Sequence, residues 1–96
     1  MPDLLERLQS WYHLHRDSDW EHDASVTIET LDNPGWSVRI HLRRTNLEGR
    51  SFAEIADLDP KSDWIRCWLE DGSFHGVGGP RQLKRILTTF LDWAEK

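Results

Sequence analysis

The chain has 96 residues, a formal net charge of -5 from 12 Lys and Arg against 17 Asp and Glu, and one cysteine. That length sets a single domain, residues 1–96; the lone Cys67 excludes an internal disulfide and a thiolate zinc site; and the acidic balance argues against direct nucleic-acid binding, which draws on Lys and Arg. No run reaches the ~18 apolar residues of a membrane span, and the start MPDLLERLQSWYHL lacks the basic, then apolar, order of a signal peptide, so a reducing, cytoplasmic location is expected.

Pro2 to about His15 reads as a helix. Leu4, Leu5, Leu8, Trp11, Tyr12 and His15 fall on one stripe at helical period, and Pro2 suits a first turn. Residues 16–23 are polar and connect it to a strand, Ala24 to Leu31, in which Val26, Ile28 and Thr30 alternate with Ser25, Thr27 and Glu29. Asn33-Pro34-Gly35-Trp36 carries a type II turn signature, with Gly35 expected at positive φ. Trp36 to Thr45 alternates again, so the two runs predict a hairpin. Paired residues share a sheet face. A two-residue loop would set Ile28 against His41, whereas an odd loop or a bulge pairs Ile28 with Val38 or Ile40, and one of those is expected.

NLEGRS is a loop, and Ser51 to Leu58 is a weaker strand with Phe52, Ile55 and Leu58 as its apolar members. Asp63 to Glu70 is a clear strand: Ile65, Cys67 and Leu69 lie on one face, and Trp64, Arg66 and Trp68 on the other. Asp71-Gly72 makes a tight hairpin to Ser73–Val77. Pro80 is expected at the first position of a closing helix, Arg81 to Glu95, whose apolar stripe is Leu83, Ile86, Leu87, Phe90, Trp93 and Ala94. The fold class is therefore α+β: an N-terminal helix, an antiparallel sheet of four to five strands and a C-terminal helix, with both helices on one sheet face.

Candidate chemistry is sparse. HLHRDS superficially matches an H-x-H-x-D metal motif, which would make a small metal-dependent enzyme of His13, His15 and Asp17. However, residues two apart on a helix point their side chains in different directions, and no second ligand pair follows. The Gly78-Gly79 corner before Pro80 could hold a small anion, but it lacks the P-loop lysine and reads more simply as a tight strand-to-helix turn. Cys67 sits mid-strand between Ile65 and Leu69, as a small core residue does. No serine stands in a nucleophile elbow. No catalytic residue, metal site or cofactor is expected.

The surface is more informative. From Asp17 to Asn33 there are six acids and no Lys or Arg; from Arg39 to Arg50 there are four Arg and one acid. The plain reading is a solvated acidic loop beside a basic strand. The sharper one is a protein-recognition surface, with Trp20 as anchor and Asp17, Asp19, Glu21 and Asp32 as its charged surround. Six Trp in so short a chain leave one or two partly exposed for such a role.

LQSWY, DWEH, TLDNPGWSVRI, the Asp63-Trp64 pair followed by Cys67, and FHGVGGPRQLKRILTTFLDW together resemble the immunity protein 53 family of bacterial polymorphic toxin systems. The resemblance runs through nearly the whole chain in order; LDNPGW and GGP-x-x-L-x-x-IL are its most specific pieces. Around DWEH, Ser18 and Asp23-Ala24 depart from the family pattern. The resemblance implies a small cytoplasmic protein that binds and neutralises a cognate toxin domain without catalysis. Separately, the acidic surface would suit the basic cleft of a toxin that acts on nucleic acid, such as a nuclease. Monomer and homodimer both stay open.

Overall fold

The computed structural model describes residues 3–15, 26–32, 34–42, 45–58 and 64–96. Helix α1 (Leu4–His15) leads into strands β1 (Val26–Leu31), β2 (Gly35–His41), β3 (Ile55–Asp57), β4 (Ile65–Glu70) and β5 (Ser73–Gly78), and helix α2 (Leu83–Ala94) closes the chain. The strands form one antiparallel sheet in the order β1-β2-β5-β4-β3. The chain crosses from β2 to the far edge, then works inward until β5 lies against β2. This is the expected α+β class, with five strands.

The first hairpin follows side-chain parity. Ile28 pairs with Val38 and Val26 with Ile40, across the odd loop of residues 32–34. The second hairpin turns on Asp71 (φ 53) and Gly72 (φ 74), both left-handed, as a two-residue type I′ turn demands.

One sheet face is apolar and covered. Val38, Ile40, Ile65, Cys67 and Phe74 are buried on it beneath Ile86, Leu87, Phe90 and Leu91 of α2. Trp11 of α1 meets the Phe90 ring edge-on at 5.0 Å, and Phe74 lies 5.1 Å from Phe90. Rings of this size carry much of a small core, each contributing about 2–3 kcal/mol by burial alone. The outer ends of the helices are joined by ions. Arg7 gives Nη2 to Asp92 Oδ1 at 2.9 Å, and Nε and Nη2 to the two oxygens of Glu95 at 3.1 and 3.0 Å. Both carboxylates favour the charged guanidinium and raise its pKa, Glu95 first.

Several local expectations are corrected. Pro2 lies outside the described residues; α1 begins at Leu4 behind Asp3, whose Oδ1 accepts the Glu6 N–H at 2.9 Å. Leu5 is 63% exposed, because α1 meets its neighbours along the narrower seam of Leu4, Leu8, Trp11 and Tyr12. Gly35 is not a positive-φ turn residue but the first residue of β2. Of the 51–58 run only residues 55–57 form a strand. Leu58 is 60% exposed, while Phe52 turns inward against Phe74 and Trp93. Pro80 does not open α2. Residues 79–82 form a turn closed by the Gln82 N–H on Gly79 O, and the helix begins at Leu83. Leu47 and Leu91, which no sequence stripe included, are fully buried.

Candidate functional site: the uncovered face of the sheet

Helices cover only one side of the sheet, so alternate residues of every strand lie on a second face that no described element covers. Strand parity fixes its members. One row runs Thr27, Arg39, His75, Trp68; the next runs Glu29, Ser37, Val77, Arg66, Ala56. His41, Ser73 and Glu70 close one end. Near the other, the Trp64 ring lies 3.5 Å from where a Gly35 side chain would begin.

At its centre the face carries a built aromatic platform. Trp68 and His75 sit directly across β4 and β5, stacked at 5.2 Å and 13°. The Arg66 guanidinium lies over the indole at 4.3 Å and is held by Glu54 at 3.1 Å. The indole N–H donates to Glu70 Oε1 at 2.9 Å, and His75 Nε2 lies 3.3 Å from the Glu70 carbonyl oxygen. Each group is thus tied by a second one, and Trp68 stays only half-buried. Beside the platform, Thr27, Glu29, Ser37, Arg39 and His75 line a polar depression of about 140 Å³. Small-molecule sites enclose roughly 300–1,000 Å³, so this depression suits a protruding side chain better than a substrate.

Groups suited to catalysis are few among the described residues. Burial pushes the Cys67 thiol up to about 11, against the opposing pull of Arg85, which leaves it protonated and unreactive at neutral pH. Ser73 Oγ lies 3.2 Å from His41 Nδ1, but among the described residues no carboxylate orients that imidazole as a triad requires. His13 is on the surface; the His15 side chain and Asp17 lie outside the described residues. Among the described residues no three His, Cys, Asp or Glu converge.

The glycine corner is occupied by protein. A Cβ on Gly78 would lie 2.7 Å from Gln82 Cβ, and the Gly79 N–H donates to Trp64 O at 2.9 Å. A Cβ on Gly35 would meet Gly78 O, and Trp36 Nε1 donates to Pro80 O at 3.0 Å. The NPGW and GVGGP motifs therefore interlock with each other. They build the strand-to-helix corner, and the amide an anion would need is already used.

The expected recognition residues Asp17, Asp19, Trp20 and Glu21 lie outside the described residues. Asp32 is exposed beside the β1–β2 turn. Sequence reasoning put Arg66 and Trp68 on a face of their own but did not single them out as a site. The missing signal was that His75 and Arg39 share that face, which needs the β2-β5-β4 order.

A match to immunity protein 53 covers residues 5–95. The chain belongs to the immunity protein 53 family. No match was found among curated proteins or among solved structures. Immunity protein 53 membership gives the chain toxin neutralisation as its general role, with a toxin protein as partner, in a family that is generally not enzymatic. Among the described residues no helix is long and apolar enough to cross a membrane.

Proposed function

We propose that the protein is a cytoplasmic, stoichiometric inhibitor that docks onto one cognate toxin domain, a nuclease being the favoured target, and blocks it without turnover. Family membership carries this reading. A platform whose Trp68, His75 and Arg66 are tied up in stacking and an ion pair, beside a depression too small for a typical substrate, supports binding over catalysis.

We further assign Asp17, Asp19, Trp20, Glu21 and Asp32 to the partner-contacting surface. A nuclease presents a basic cleft to its phosphate substrate, and an acidic protein with six acids clustered between residues 17 and 33 complements it. Such charge acts first on encounter, raising association toward ~10⁸–10⁹ M⁻¹s⁻¹ at low salt.

Co-expression with the toxin domain encoded beside this gene tests the function. Cells survive, and the two proteins co-elute on gel filtration; death of the cells with no complex refutes it. Asp17→Lys with Asp19→Lys tests the steering. Association slows and loses salt dependence; an unchanged rate removes the acidic segment from the interface.

A further inference from the structure

We infer that the uncovered sheet face, centred on the Trp68–His75–Arg66 platform, is a second part of the toxin-docking surface, and that it accepts a basic patch of that domain. The inference rests on the toxin-neutralising reading and adds where the partner sits.

Three observations carry it. The platform has the composition of an interface hot spot, Trp and Arg with a stacked ring, and it is preorganised: Trp68 is fixed by Glu70, Arg66 by Glu54. A partner side chain that settles on it therefore orders little that is not already ordered. The face is also net acidic. Glu29, Glu54 and Glu70 surround the platform against Arg39 and Arg66, and Glu29 makes no ion pair among the described residues. Glu29 belongs to the same sequence cluster of acids that begins at Asp17. Within the depression, Arg39 stands beside the Thr27 and Ser37 hydroxyls, a donor set for a main-chain carbonyl of the partner.

Charge selects the occupant. Glu29, Glu54 and Glu70 against Arg39 and Arg66 leave the face net negative, so two copies meeting face to face would oppose like charges. A basic toxin domain meets it with opposite charge. Phosphate is disfavoured by the same carboxylates, so the stacked rings suit a protein rather than a nucleic acid.

The test measures binding of the purified toxin domain to immobilised full-length protein. Trp68→Ala weakens binding roughly 30-fold or more, mainly through faster dissociation. Glu29→Lys, a change on an exposed edge-strand position that leaves the fold intact, slows association several-fold. Lys84→Glu on the exposed side of α2 changes neither rate. Thermal melts accompany each variant, and if Trp68→Ala melts early, Glu29→Lys with Arg39→Ala decides. Wild-type affinity in all the face variants overturns the inference while leaving the inhibitor reading intact. Absence of binding by the wild type refutes the inhibitor reading itself, and the inference with it. Binding of a single-stranded RNA oligonucleotide, or dimerisation of the free protein, lost in Trp68→Ala, also overturns the inference.

Discussion

At the residue scale, two small side chains set how closely the layers approach. A Cβ on Gly76 would lie 2.4 Å from Ile86 Cγ2, so α2 rests directly on the backbone of β5. Ile86 is β-branched, and that methyl cannot swing clear. Gly76→Ala is expected to cost about 1–3 kcal/mol of unfolding free energy, read from urea denaturation, with the helix lifted off the strand. Cys67 makes a second prediction. Its thiol titrates near 11 in the fold and near the ordinary 9.0 when unfolded. The unfolded chain thus loses its proton first as pH rises. The stability tied to this group is whole below about pH 9 and falls away through pH 11. The urea midpoint of the wild type drops over that window by more than that of Cys67→Ala. Iodoacetamide at pH 8 leaves the native thiol unmodified and labels it once urea is added.

At the element scale, β1, β2, β4 and both helices were legible because each carries its own period, whereas the 51–58 run has none and yields only the three-residue β3. Parity narrowed the partner of Ile28 to Val38 or Ile40, since any odd slip would have put apolar against polar side chains, and the fold takes Val38. What could not be read was whatever depends on a neighbour distant in sequence. Gly35 looked like a turn glycine because it follows proline, yet its lack of a side chain answers to Gly78 and Trp64, both distant in sequence. Pro80 looked like a helix start, but its carbonyl is taken by Trp36 in a preceding turn. Leu47 enters the core from an irregular turn that Thr45 pins with its hydroxyl, a segment with no period to betray it. The Arg7 clamp between the helices was equally invisible. Because that clamp is ionic and sits at the surface, Arg7→Gln lowers the melting temperature at low salt, and the difference shrinks as salt is raised.

For the whole molecule, the layered plan explains how a small chain has a sheet face to offer for the inferred docking. Two helices on one side bury the large rings, which leaves the opposite face free of any stabilising duty toward them. Gly35 and Trp36 of LDNPGW meet Gly78 and Pro80 of GVGGP at the strand-to-helix corner and make scaffold. The groups suited to binding lie elsewhere: on the uncovered face and, as proposed, along the acidic segment. The central claim is that neutralisation is occupancy of the toxin and nothing more. Titrating the purified protein into a fixed amount of active toxin domain tests it most directly. Toxin activity should fall linearly and end sharply at one equivalent, with a 1:1 complex by light scattering. Silencing by far less than one equivalent, with no complex to be found, would contradict it.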